Sequence, residues 1–456
     1  MLKKNPYIDA HTTFAIIGLG VSGKAALRYA LGFGAHLLVS DRRDEEALLA
    51  QLVALAGDVV VDYEAGGHTF QFLSQADVIF VSPGFADGEL LARLRRAGVQ
   101  VLGELALAAP VLDRPVVAIT GTNGKTTVTS LVGDLLRASG KRVFVGGNIG
   151  VPLLDLLSSG DEVDVIVLEV SSFQLELAGD FSPHIALLLN LSPDHLDRHG
   201  DLAGYRAAKM HLFQKQGMTD IAIVSGDDPL CLLSDGCGEA SRYLFGFSAA
   251  SDISVAAGHF EFDFAGQREI YSLRDSALDN RTGWLNAAPA AFIARSLACA
   301  KADIERGIAA FTLDAHRMEP VASIAGVQYY NDSKATNTGA VISALQQLVR
   351  VILIAGGRDK GDNYRLLREA VAGHVRTLIC IGEATPLLVA ALEDVVQVYR
   401  ATSLAEAVSL AASFAEEGDS VLLSPACASF DMFANYQDRG EQFRRQVLQL
   451  QDVGSK

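Results

Sequence analysis

Apolar residues along this chain gather in short unbroken runs more often than they alternate with polar ones. Residues 13–17, 35–40, 76–81, 115–120, 142–148, 163–169, 185–190, 351–357, 377–382 and 420–425 are each dominated by Val, Ile, Leu, Phe or Ala. Runs of that length, closed by glycine, proline or a polar residue, fit strands buried on both faces, as in a parallel sheet. Between them apolar residues return at helical spacing, as Val128, Leu131 and Leu135 do, and a first helix is expected from near Lys24. The order strand, glycine, helix is met three times, which predicts an α/β protein of three domains. The pattern restarts near residues 107 and 313, so the expected domains are 1–107, 108–313 and 314–456.

Composition supports this reading. Of 456 residues half are apolar and a fifth charged, enough for several buried cores and unlike a disordered chain. With 54 acidic against 38 basic residues the formal charge is −16, which argues against non-specific nucleic-acid binding. A polyanionic ligand stays compatible, because a few local cations and backbone N–H groups suffice to hold phosphate. The five cysteines, Cys231, Cys237, Cys299, Cys380 and Cys427, form no CxxC pair and read as small buried hydrophobes, not as a disulfide framework or zinc site. No run approaches the roughly 18–20 apolar residues that span a bilayer, and the start of the chain lacks a signal-like pattern. A cytoplasmic monomer with no membrane partner is expected.

Two glycine clusters carry the first chemistry. Gly18-Leu19-Gly20-Val21-Ser22-Gly23 follows a strand and precedes a helix, and Asp41 closes the next strand. Such a turn brings backbone close to a pyrophosphate at a helix N-terminus. Taken alone it leaves a dinucleotide, another nucleotide and no ligand level. Ser82-Pro83-Gly84 adds donors on the same carboxyl edge. The second cluster is sharper: Gly121-Thr122-Asn123-Gly124-Lys125-Thr126-Thr127 lies between a strand and a helix. Its backbone N–H groups can face phosphate oxygens, Lys125 the β- and γ-phosphates, and Thr126 a Mg²⁺ ion. Ile119 stands where the usual phosphate-loop pattern has glycine. The three domains are thus expected to be Rossmann-like, central P-loop ATPase-like and Rossmann-like. Glu169 ends a strand beside the loop, where it could bind Mg²⁺ or merely be an exposed strand-end carboxylate. The run Asn190-Leu191-Ser192-Pro193-Asp194-His195-Leu196-Asp197-Arg198-His199 suggests a metal or phosphoryl site, with His199 read as a surface histidine.

Residues 120–127, 169–176 and 190–198, followed by Tyr205-Arg206-Ala207-Ala208-Lys209, resemble the Mur ligase family, which builds the peptide stem of bacterial peptidoglycan. The segments 331–337 and 423–431 are similar to the members that add D-glutamate to UDP-N-acetylmuramoyl-L-alanine. The resemblance implies an ATP-dependent ligase working through an acyl phosphate, with two Mg²⁺ ions. Its first domain would hold the UDP-sugar near Val21, Ser22, Asp41, Arg42, Ser82 and Gly84, with Asn148 contacting it from the central domain. Lys209 matches a family lysine that is carbamylated; without the family it reads as a helix-surface lysine. Glu169, His195 and the carbamate would serve the second metal and Thr126 the first. Arg317, after His316, would approach ATP, and Asp332 would face the nucleotide or a hinge. Lys334, Thr336, Lys360, Ser429 and Tyr436 would surround the amino acid, as suits a dicarboxylate. One departure stands out: Thr282-Gly283 replaces the usual His-Asn pair ahead of the adenine-contacting Asn286, so adenine contacts are expected to differ.

Overall fold

A computed structural model describes residues 3–233 and 237–454. Among them the strands make three sheets. The first consists of β1 (Thr13–Ile17), β2 (His36–Asp41), β3 (Val61–Ala65), β4 (Val78–Val81) and β5 (Gln100–Leu102), all parallel, in the order β3-β2-β1-β4-β5. Phe14, Ala15, Ile16 and Ile17 are fully buried, as an unbroken apolar run requires when helices cover both faces. Strand order reverses at β1, which leaves a crevice at the carboxyl ends of β1 and β4.

The second sheet has nine strands: β6 (Val116–Thr120), β7 (Val143–Gly147), β8 (Val165–Glu169), β9 (Ile185–Leu188), β10 (Ile221–Ser225), β11 (Ser241–Gly246), β12 (Ile253–Ala256), β13 (His259–Phe264) and β14 (Gln267–Ser272). Strand β6 lies between β8 and β9, with parallel pairing from β7 across to β12 and antiparallel pairing at β13 and β14. The third sheet holds β15 (Glu319–Ile324), β16 (Val327–Asn331), β17 (Val351–Gly356), β18 (Val375–Ile381), β19 (Gln397–Arg400) and β20 (Ser420–Leu423), in the order β15-β16-β20-β17-β18-β19. Only β15 pairs antiparallel there.

The strands expected from apolar runs all form, most of them one or two residues shorter at one end. Ten strands of the described residues were not among them: β3, β5, β10, β11, β12, β16 and β19, and the antiparallel outer strands β13, β14 and β15. In β13 buried Phe260 and Phe262 alternate with His259, Glu261 and Asp263, a period of two that a search for continuous runs passes over. Phe260 and Phe262 stack on Tyr271 at 5.0 and 5.3 Å, closing that end of the sheet with rings. The first helix, Val21–Leu31, begins three residues before Lys24. All five cysteines are buried and free, and burial pushes the Cys380 and Cys427 thiols up to about 12, as inert core residues.

By internal contacts the chain divides into two compact units. The first comprises residues 1–191, 206–274 and 284–310, and so contains both of the first two sheets. Within it, Gly103 N–H donates to the Leu177 carbonyl at 3.1 Å, and Asn5 donates to the Leu107 carbonyl at 2.8 Å. The Arg28 guanidinium takes both oxygens of Asp155 at 2.8 Å. The second unit comprises residues 192–205, 275–283 and 311–456 and contains the third sheet. No helix among the described residues is long and apolar enough to cross a membrane.

The first glycine cluster gives a packing test. A Cβ on Gly23 would lie 1.9 Å from the Gly18 carbonyl oxygen, whereas one on Gly20 meets nothing within 4 Å. Gly23→Ala is expected to destabilise the protein by about 1–3 kcal/mol, and Gly20→Ala by much less. Thermal unfolding of the two variants checks this; equal melting temperatures would contradict the packing.

Candidate active site

Strand β6 ends at buried Thr120, and the chain then turns through Gly121 at φ 153° and Gly124 at φ 84° into the helix Lys125–Ala138. Gly124 is required twice over, since its φ is left-handed and an added Cβ would meet Asn286 Oδ1 at 2.8 Å. Asn190, after β9, braces the loop: its carbonyl accepts from Thr122 N–H at 3.0 Å, and its side-chain amide exchanges bonds with the Asn123 backbone at 2.9 and 3.0 Å. Gly121, Thr122, Asn123, Gly124, Lys125, Thr126, Thr127 and Asn286 therefore come together at the N-terminus of a 14-residue helix. A helix N-terminus of this length carries backbone N–H groups and a positive dipole that suit an anion. The Lys125 ammonium curls onto the Gly121 and Thr122 carbonyls, each at 2.9 Å.

Glu169 closes β8 and is buried, not exposed. Its Oε2 accepts the Thr126 hydroxyl at 2.7 Å and its Oε1 the Asn148 amide at 2.8 Å. Lys209 lies in the helix Leu202–Met210 and is only 1% exposed. This corrects the reading of it as a surface lysine: its Nζ donates to the Gly121 carbonyl at 2.9 Å and to Thr120 Oγ1 at 3.2 Å. A helical pattern cannot tell an outward lysine from one aimed at a sheet edge. Oxygen donors of the kind Mg²⁺ takes are thus gathered on one edge of one unit. No group of three or more His, Cys, Asp or Glu suited to a metal is found among the described residues.

On the first sheet, Asp41 Oδ2 accepts Leu19 N–H at 2.5 Å and its Oδ1 accepts Arg43 N–H at 3.0 Å, so the carboxylate pins the glycine turn. Ser82 Oγ donates to the Gly18 carbonyl at 2.8 Å, tying the loop after β4 to the same turn. Val21 (69% exposed), Ser22, Arg42 and Gly84 line this edge with open surface. A residue that sequence reasoning missed, Glu104, lies in the same unit. Its carboxyl is buried and accepts Leu154 N–H at 3.2 Å, where the loop carrying Asn148 enters the helix Leu153–Ser159. Oε2 has no hydrogen-bond partner among the described residues. Burial pushes this carboxyl up to about 7, against the opposing pull of the Leu154 and Leu153 N–H groups. A lone carboxylate inside the apolar stretch 102–110 was the available signal.

In the second unit, Arg317 is flanked by His316 at φ 66° and Met318 at φ 46°, two left-handed non-glycine residues. Its Nε is buried without a hydrogen-bond partner among the described residues. Asp332, expected to face nucleotide or hinge, uses its carboxyl inside the unit. It accepts Met318 N–H at 3.2 Å and Ser424 Oγ–H at 2.8 Å, and burial pushes it up to about 7. His195 precedes the helix Leu196–His199 at a left-handed φ of 55°, with Nε2 3.7 Å from Asp194. The Asp197 side chain lies outside the described ones, and His199 packs partly buried against Tyr205 at 5.3 Å. Lys360 pairs with Asp194 at 3.1 Å, and Asn337 donates to the same carboxylate at 3.3 Å. Lys334 lies over the Tyr436 ring at 4.9 Å. Ser429 is buried and Thr336 partly so.

Arg439, also missed, is fully buried and bonds five times to neutral acceptors: Ser333 Oγ and carbonyl at 3.0 and 2.8 Å, Cys427 carbonyl at 3.2 and 3.1 Å, and Ala428 carbonyl at 3.4 Å. It thereby holds the chain just before Lys334 and just before Ser429. Desolvation lowers it to about 10, still charged at neutral pH. The polar helix Tyr436–Gly454 gives no sequence sign that one of its arginines points inward.

Three family models match the chain in sequence. They are described as Mur ligase MurD-like, N-terminal domain (residues 12–103), Mur ligase middle domain (119–277) and Mur ligase, glutamate ligase domain (316–427). A UDP-N-acetylmuramoylalanine--D-glutamate ligase of Geobacter metallireducens is 40% identical over 95% of this chain and 97% of its own. One of Koribacter versatilis is 38% identical over 97% and 98%. Among solved structures, a pseudomurein peptide ligase type C from Methanothermus fervidus aligns with TM-score 0.61 at 17% identity, over 96% of this chain and all of that one. The MurF ligase from Thermotoga maritima in complex with ADP also gives 0.61, at 18% identity, over 97% and 96%. At such identities these structures speak for the fold.

The buried Glu104 carboxyl yields a pH prediction. Its folded form keeps the proton to about 7, while the unfolded chain releases it near 4.5. Between those values the folded state binds more protons, so this contribution to stability is whole below about 4.5 and is lost as pH rises to 7. Glu104→Gln cannot titrate. Its stability relative to the parent is expected to improve by a few kcal/mol, on the order of 3, from pH 4.5 to pH 7.5. Urea unfolding across that range measures it, and parallel pH profiles for the two proteins would refute it.

Proposed function

The chain belongs to the Mur ligase family, and from that premise we propose that it joins D-glutamate to UDP-N-acetylmuramoyl-L-alanine at the expense of ATP, a step of peptidoglycan precursor synthesis. The observation that carries this is near-full-length identity of about 40% to ligases of that name. The phosphate loop with its attached Glu169 and Asn148 supplies matching chemistry. The segments 1–107, 108–313 and 314–456 serve as domains for UDP-sugar, ATP and amino acid, each containing one sheet.

The terminal carboxylate of the UDP-sugar substrate attacks the γ-phosphorus of ATP, forming an acyl phosphate and releasing ADP. The glutamate amine then attacks the acyl carbon, loses a proton, and phosphate departs as the amide forms. Phosphoryl transfer needs alignment and charge neutralisation. The N–H groups of Gly124, Lys125, Thr126 and Thr127 and the Lys125 ammonium hold the β- and γ-phosphates, and Arg317 neutralises charge that develops on transfer. Asn286 serves the adenine side of the loop. Val21, Ser22, Asp41, Arg42, Ser82 and Gly84 bind the UDP moiety, and Asn148 the substrate's far end. Lys334, Thr336, Lys360, Ser429 and Tyr436 receive glutamate.

The residues present fit Mg²⁺: buried Glu169 and Thr126 supply hard oxygens, and Lys209 is buried at the start of the same loop with its amine on Thr120 and Gly121. Thr126 would hold one ion, with Glu169, His195 and a carbamylated Lys209 for a second; bound there, Mg²⁺ would neutralise phosphate charge. We place the enzyme in the cytoplasm as a monomer.

Wild-type protein is expected to release ADP with UDP-N-acetylmuramoyl-L-alanine and D-glutamate, and far more slowly with L-glutamate; the reverse preference would overturn the assignment. Lys125→Ala should lower kcat at least 10²–10³-fold, roughly the worth of one such charge-stabilising group. Lys209→Ala should be inactive and regain part of its rate with added short carboxylic acids. Full activity without them would remove the carbamate.

A further inference from the structure

His68 reaches across the carboxyl edge of the first sheet. It follows β3, yet its Nδ1 lies 2.8 Å from Ser40 Oγ in β2, and its ring meets Phe85, after β4, edge-on at 5.2 Å. In the sheet β1 separates β2 from β4. A ring touching the end of β2 and the loop after β4 therefore spans the carboxyl end of β1, where strand order reverses and ligands of such sheets bind.

The network fixes which nitrogen faces outward. Ser40 Oγ also contacts Glu64 Oε2 at 2.7 Å and the Gly67 carbonyl at 2.9 Å. Both are acceptors, and the hydroxyl has one proton to give. Running the imidazole contact from Nδ1–H to Oγ, with the hydroxyl proton given to Glu64 or Gly67, pairs the most groups and leaves Nε2 as the lone-pair nitrogen. Glu64 is itself held by Thr69 N–H at 2.9 Å, so the relay Glu64–Ser40–His68 has a fixed far end. Ser40 is fully buried, and His68 is partly exposed. Burial first, and the nearby Arg42 second, hold the imidazole below its ordinary range and keep it neutral at physiological pH.

We propose that His68 is a further ligand-binding residue, using its Nε2 lone pair to accept a hydrogen bond from the uridine of a UDP-linked substrate, whose N3–H and ribose hydroxyls are its only neutral donors. This rests on the reading of the first sheet as the UDP-sugar site. A phosphate-binding role is disfavoured, because a lone pair repels phosphate oxygens. The relay makes His68 a selector: it accepts from a donor and rejects an acceptor at that point.

The test measures UDP affinity by calorimetry on the full chain at pH 8. His68→Phe retains the ring against Phe85 and removes the acceptor; a loss of about tenfold in affinity is expected, the usual worth of one hydrogen bond. Ser40→Ala, which frees the tautomer without touching the ring, should lose less. Against UDP methylated at N3 or UDP lacking the 2′- or 3′-hydroxyl, one analogue should erase the difference between His68→Phe and wild type and identify the donor. Wild-type UDP affinity in His68→Phe, or the same loss against all analogues, overturns the proposal. If Asp41→Asn weakens UDP and His68→Phe does not, this inference alone falls. If the wild-type chain binds no UDP, the reading of the first sheet falls with it.

Discussion

The buried Glu169 carboxylate is the point on which the loop arrangement of the first unit depends. A carboxylate taken out of water needs donors, and Glu169 has two neutral ones, Thr126 and Asn148. Its backbone is as tightly held: the carbonyl accepts Asn148 N–H at 2.9 Å, and a Cβ on Gly147 would meet that oxygen at 2.5 Å. Parallel pairing sets Glu169 opposite Ile119 of β6 and Gly147 of β7. A register shift of one residue would turn the carboxylate to the other face. The sheet thus fixes three loops, after β6, β7 and β8, around one side chain.

That register also accounts for Ile119. The usual phosphate-loop glycine would fall inside β6, where Ile119 is fully buried and paired. Here the strand runs to Thr120, and the loop is shorter, beginning at Gly121. Asn190, which follows β9, braces that loop through its side-chain amide. The second unit solves its positioning problem differently, with a buried cation. Arg439 binds carbonyls in two loops, and among the described residues no carboxylate lies at hydrogen-bond range of it. A charge kept there costs desolvation free energy, which its five hydrogen bonds to neutral acceptors offset in part.

How much of this could be read from the chain varies with the physics involved. Continuous apolar runs marked the central parallel strands, because burial on both faces leaves no polar positions, but not parallel strands such as β3 or β19 that carry polar and partly exposed residues. Glycines marked the two turns, because only they accept φ of 84° at Gly124 or the contact at Gly23. Direction was less visible. Lys209 and Arg439 sit in helices of mixed polarity, and nothing in the local spacing says that their side chains face a sheet edge or a loop. The Asp194–Lys360 pair joins residues 166 positions apart, and Asp332 proved to be a brace for Met318 and Ser424. Such partners are set by the fold, after local patterns have done their part.

The same distinction explains the Thr282-Gly283 departure. Gly283 cannot easily carry a side chain, since a Cβ would fall 2.2 Å from the Leu278 carbonyl oxygen while its N–H is held by Asn280 at 2.9 Å. Thr282 Oγ1 pairs with Ser343 Oγ at 2.7 Å. Both substituted residues are thus absorbed into the second unit's own packing. Asn286, one helical turn on, stays against Gly124 of the phosphate loop in the first unit. The departure at 282–283 thus sits in local packing, while the asparagine that follows it is placed by the phosphate loop.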